Sequence, residues 1–103
     1  MSGFALHPEA FDDIDEIRAY IAEDNPDAAD RMVNDIFDRI RQLIPLPDQG
    51  FERPNLTPLR LPFVPVREYV IAYAPKKKPL SVVAVFHGRR NPRVIAAILR
   101  DRE

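Results

Sequence analysis

The chain contains no cysteine and no tryptophan. The missing cysteine excludes disulfides, thiolate metal sites and a cysteine nucleophile. Glycine is also scarce: three residues, too scattered to build a phosphate-cradling loop. His7 and His87 stand far apart, so no histidine pair has metal-ligand spacing, and no serine has a plausible base beside it. No metal and no cofactor is expected. The opening "MSGFALHPEAFDDID" lacks the basic start and long apolar stretch of a signal peptide. No apolar run approaches the roughly 20 residues that cross a bilayer. The expectation is a cytoplasmic protein without a membrane partner. Internal repeats, low-complexity segments and Gly/Ser-rich linkers are absent too.

What is present fits one compact unit spanning residues 1–103, with 46% hydrophobic and 30% charged residues. The net charge of −1 conceals a sharp division. Residues 1–50 hold 12 acids and 4 bases, giving −8; residues 51–103 hold 4 acids and 11 bases, giving +7. Such a split places a basic face opposite an acidic one, or sets the halves to neutralise each other. A basic face attracts phosphates or acidic protein segments, so direct contact with nucleic acid is left open.

The hydrophobic period changes once along the chain. "GFALH" at 3–7 reads as a short strand. Phe11, Ile14, Ile17 and Ile21 then recur every three or four residues, the stripe of a helix that opens at Pro8 with acids in its first turn. "DNP" at 24–26 stops it. A second helix from Pro26 carries Ala29, Met32, Val33, Ile36, Phe37, Ile40, Leu43 and Ile44 on a broad apolar face, and "PLPDQG" ends it. Helices joined so closely form an antiparallel hairpin. From residue 59 the alternation becomes that of strands. Leu59, Leu61 and Phe63 alternate with Arg60 and Pro62, and the prolines place this strand at a sheet edge. In "VREYVIAYA" (66–74), Arg67, Tyr69, Ile71 and Tyr73 share one face. After the "PKKKP" turn, "LSVVAVF" (80–86) is apolar on both faces, as a central strand must be. Val83 and Val85 should be buried with Ile14, Ile17, Ile21, Val33, Ile36, Phe37 and Ile40. "PRVIAAILRDRE" closes with a short helix. The fold class is α+β: an N-terminal strand, a helix hairpin on a mainly antiparallel sheet of three or four strands, and a short C-terminal helix.

The ordered set "AADRMVNDIFDRI", "LPDQGFERPNL", "REYVIAY" and "VVAVFHGRRNP" resembles the RelE/ParE superfamily of toxins from type II toxin–antitoxin pairs. The likeness covers nearly the whole chain. It implies a small toxin held silent by a cognate antitoxin in a hetero-oligomer. Its RelE-like branch cuts messenger RNA on the ribosome, and its ParE-like branch poisons DNA gyrase without nuclease chemistry. In the nuclease pattern an arginine follows the first tyrosine of a "Y-x-x-x-Y" strand; here that position is Val70. The nucleases also carry a tyrosine near the C-terminus, whereas none follows Tyr73. Arg89 does match a nuclease arginine at the end of the last strand. The resemblance therefore implies a ParE-like gyrase inhibitor. An interferase cutting with His87 and Arg89, and an inactive remnant that only binds antitoxin, stand as alternatives.

"HGRRNP" at 87–92 carries the strongest binding signal. Arg89 and Arg90 are planar donor forks beside Gly88, suited to gripping carboxylates or phosphates. Histidine as a residue type can serve as a base near neutral pH, so His87 is a candidate base, or it simply caps the strand end. Arg60 and Arg67 sit where neighbouring strands would add cations. The expected partner-binding set is Arg60, Arg67, His87, Arg89, Arg90 and Asn91, with no catalytic residue under the gyrase reading. Tyr20 and Tyr73 should be partly buried with bonded hydroxyls.

Overall fold

The computed structural model describes residues 3–54 and 61–102. The order is β1 (Phe4–Leu6), α1 (Pro8–Ala22), α2 (Pro26–Leu43), a 3₁₀ turn (Pro47–Gln49), β2 (Phe51–Glu52), β3 (Pro62–Val66), β4 (Tyr69–Ala74), β5 (Leu80–His87) and α3 (Pro92–Asp101). Each α-helix opens by one device, a capping side chain followed by proline. His7 Nδ1 accepts from Glu9 N–H at 3.1 Å, Asn25 Oδ1 from Ala28 N–H at 3.0 Å, and Asn91 Oδ1 from Arg93 N–H at 2.9 Å. Proline then occupies the first helical position, where its missing N–H costs nothing. Among the described residues no helix is long and apolar enough to cross a membrane.

The strands form one five-stranded mixed sheet, ordered β1-β5-β4-β3-β2. β1 runs parallel to β5, and the other pairs are antiparallel. The α+β class holds, with two corrections. The sheet exceeds the expected three or four strands, because the two-residue β2 pairs with β3. β3 is accordingly not an edge strand; Leu59 and Arg60 of the expected strand lie outside the described residues.

The sheet separates two cores. On one face the α1–α2 hairpin packs Ile14, Ile17, Met32, Ile36 and Ile40 against Val64, Ile71, Tyr73, Val82 and Val85. On the other, α3 covers Phe63, Ala72, Ala84 and Phe86 with Ile95 and Leu99. The faces of β4 fall as its alternation predicts. β5 does not keep its alternation, because its register shifts between Ala72 and Tyr73 of β4, which pair with Ala84 and Val82. Val83 is the extra residue, so Val82 and Val85 share the hairpin face and half-buried Val83 packs on the α3 side. Ile21, Val33 and Phe37 are only half-buried, at the margin of the hairpin core. Phe11 is 53% exposed, one turn too early in α1 to reach the sheet.

α3 is tied to α1 around the β5 edge. Arg102, which caps α3, donates to Asp13 of α1 from both terminal nitrogens, at 2.6 and 3.0 Å, and to the Val83 carbonyl at 3.2 Å. Its side chain is 9% exposed and that of Asp13 15%. Asp13 Oδ2 also accepts from Val85 N–H at 3.0 Å. Bonding to this carboxylate, despite burial, raises the Arg102 guanidinium above its ordinary range, with Glu9 adding a smaller effect.

Candidate functional site

The loop after β5 is built by short-range bonds. Gly88 N–H donates to the Glu68 carbonyl at 2.8 Å, and Arg90 N–H to the His87 carbonyl at 3.0 Å. His87 Nδ1 accepts from Arg89 N–H at 3.0 Å, so the ring caps the strand end as well as lining the surface. Its other side meets Tyr69 edge-on, with ring centroids 5.3 Å apart at 77°. Asn91 is spent as the α3 cap. Arg89 and Arg90 are exposed, and no carboxylate pairs with either among the described residues.

Arg67 belongs to a different structure from the one its sequence position implies. Val66 pairs with Tyr69, so Arg67 and Glu68 form a two-residue hairpin turn, not the start of β4. Arg67 has φ +55°, a position that usually favours glycine. Its guanidinium pairs with Asp35 of α2, one of the few links between the acidic and basic halves. Among the described residues, ion pairs between the two halves form there and where Arg102 meets Asp13 and Glu9. Arg60 lies outside the described residues.

His87 and Tyr69 stand between two clefts. One, of about 440 Å³, is lined by Tyr20, Ile21, Arg31, Met32 and Arg67. The other, of about 430 Å³, lies between α1 and the β5 end, lined by Glu16, Ile17, Tyr20, Val85, Arg89 and Arg90. The structure thus groups Arg67, His87, Arg89 and Arg90 around one strand end. It also adds Arg31, which sequence reading passed over, and Tyr20, which that reading assigned to the interior. Tyr20 is 72% exposed and no bond to its hydroxyl is found among the described residues, contrary to the partly buried, bonded state expected of it. Helical geometry carried the signal: Tyr20 is about 100° from Ile21 and flanks the apolar stripe. Tyr73 does behave as expected. It is fully buried, its hydroxyl donating to the Pro47 carbonyl at 2.7 Å and accepting from Gly50 N–H at 3.0 Å. Burial raises both the Tyr69 and Tyr73 hydroxyls above the ordinary tyrosine range; the Gly50 bond partly opposes this at Tyr73.

Val70 faces the α3 core, paired with Phe86 and partly buried. The position that holds a strand arginine in the nuclease pattern is thus an apolar packing position here.

A helix hairpin on one sheet face, a clasped helix on the other and a basic loop at the end of β5 define a small α+β domain. The family model described as the ParE toxin of the type II toxin–antitoxin system parDE matches residues 4–92. The chain belongs to this family, and its system supplies an antitoxin partner. Toxin ParE2 of Mycobacterium tuberculosis, strain CDC 1551 / Oshkosh, is 29% identical over 97 residues, 94% of this chain and 91% of that protein. Toxin ParE2 of strain ATCC 25618 / H37Rv matches to the same extent.

Proposed function

We propose that this ParE-type toxin inhibits DNA gyrase in the cytoplasm by surface binding, and that its cognate antitoxin neutralises it by occupying the same region. The observation that carries the reading is the pairing of Arg89 and Arg90, exposed and without carboxylate partners among the described residues, with Val70 as a packing residue. A gripping surface needs the first and tolerates the second. A nuclease needs an acid, a base and cations around one phosphate, each contributing about two to four orders of magnitude. Here burial raises the Tyr69 hydroxyl further above the ordinary tyrosine range, which makes it a poorer base, and His87 Nδ1 is engaged by the Arg89 amide.

Purified toxin should block gyrase supercoiling. Arg89→Glu with Arg90→Glu should weaken that inhibition by reversing the charge of the grip. His87→Ala should retain most of it, because no proton transfer is asked of His87. Codon-dependent cuts in messenger RNA on translating ribosomes, lost in His87→Ala, would overturn this reading in favour of the interferase one.

A further inference from the structure

The sheet divides charge as well as core. On one face, α1 and α2 together hold nine acids and four bases, giving −5. On the other, residues 88–101, the loop after β5 and α3, hold four arginines and one aspartate, giving +3. Arg89, Arg90, Arg93 and Arg100 are all exposed. Among the described residues no carboxylate pairs with Arg89, Arg90 or Arg93. Arg100 meets Asp101 at 4.0 Å, with 74% and 77% of the two side chains exposed, a pair too long and too wet to hold much of its charge.

Helical geometry aligns these cations. Ile95 and Leu99 face the sheet. Arg93 and Arg100 are seven residues apart, so they project within about 20° of each other and stand about 10 Å apart along the axis. The side chains between them on that side, Ala96 and Ala97, are small, so a ligand reaches both guanidinium groups without meeting a bulky residue. α3 runs back along β5, since Arg102 at its end meets the Val83 carbonyl, and Arg89 and Arg90 extend the row at its start.

We propose that this row binds the phosphate backbone of duplex DNA without reading its sequence. Planar guanidinium forks suit phosphate oxygens. Single strands are held largely by aromatic stacking, and residues 88–102 include no aromatic residue, which favours the duplex. The one amide side chain there, Asn91, is spent on the α3 cap, leaving no amide to read base edges. The negative hairpin layer on the opposite face is repelled by the duplex and turns α3 toward it. The inference goes beyond the gyrase reading, because Arg93 and Arg100 lie outside the grip assigned above and the binding needs no gyrase.

Fluorescence anisotropy of a labelled duplex of arbitrary sequence, titrated with the purified full chain across a salt series, tests this. Four phosphate contacts predict a slope of about −3.6 in log affinity against log salt, a loss of roughly a hundredfold from about 50 to 200 mM. Arg93→Glu with Arg100→Glu should weaken binding at least about tenfold and bring the slope to about −1.8. Asp101→Ala removes the row's one acid from an exposed position and should tighten binding about twofold, a test that survives if the double reversal does not fold. A single strand of the same sequence should bind more weakly than the duplex. No duplex binding at the lowest salt, a salt-independent affinity, unchanged affinity in both variants, or tighter binding of the single strand or of polyglutamate overturns the proposal. Gyrase inhibition by a chain without duplex affinity overturns it and leaves the gyrase reading standing; duplex binding by a chain that leaves gyrase untouched does the reverse.

Discussion

Replacing Arg102 by alanine should be among the costliest single changes away from the apolar cores. The guanidinium makes a bidentate pair with Asp13, at 2.6 and 3.0 Å, with 9% and 15% of the two side chains exposed. An exposed ion pair contributes at most about 1 kcal/mol, but removing one partner of a buried pair costs about 3–5 kcal/mol, because a desolvated charge is stranded. Asp13 keeps its bond from Val85 N–H, which softens the loss. The estimate falls at the lower end, about 3 kcal/mol. For a domain of this size that lowers the melting temperature by about 12–24 °C, at about 4–8 °C per kcal/mol. Urea unfolding should show a lower midpoint with an unchanged slope. Asp13→Asn in the same chain should restore about 1 kcal/mol or more, since no charge is then stranded and an oxygen still serves Val85. A loss below about 0.5 kcal/mol for Arg102→Ala, or strictly additive effects in the double-mutant cycle, would refute the clasp as a closed, buried pair.

Tyr73→Phe should cost about 1–3 kcal/mol by urea unfolding, because it strands the Pro47 carbonyl and Gly50 N–H that the hydroxyl serves. Gly50→Ala should be harmful at the same place, since a Cβ there would stand 2.7 Å from Pro62 Cβ and 2.8 Å from the Tyr73 oxygen. Ile36, fully buried between α2 and the sheet, should not accept aspartate; Ile36→Asp should abolish soluble folding, and normal thermal unfolding of that variant would contradict the hairpin packing. Tyr69 and Tyr73 have raised folded-state pKa values, so the folded chain holds protons that the unfolded chain releases near pH 10. Stability should be complete below about pH 10 and fall as pH rises through the higher folded values, tracked by tyrosinate absorbance against denaturant midpoints.

The change from a helical to a two-residue period fixes the element types in this chain, and the unbroken apolarity of "LSVVAVF" places β5 inside the sheet, between β1 and β4. Local parity is less legible. Nothing in "SVVAV" marks Val83 as the extra residue of a bulge, since every neighbour is apolar and either face would accept them. The turn at Arg67 and Glu68 is also concealed, because it uses neither glycine nor asparagine at its left-handed position. In the candidate site, "HGRRNP" reads as a strand end with a helix starting at Pro92, but Asn91, read there as a binding residue, caps α3. Its surroundings come from distant segments. Tyr20 reaches it across the helix hairpin, and the Asp13–Arg102 pair joins residues 89 positions apart, a separation at which no spacing rule operates.

The measurement that bears most directly on the central claim is gyrase supercoiling with purified toxin, run with and without antitoxin beside a ribosome-dependent messenger RNA cleavage assay. Inhibited supercoiling, relieved by antitoxin and weakened by Arg89→Glu with Arg90→Glu, together with intact messenger RNA, is the predicted result. Undisturbed supercoiling with cleaved messenger RNA would contradict it.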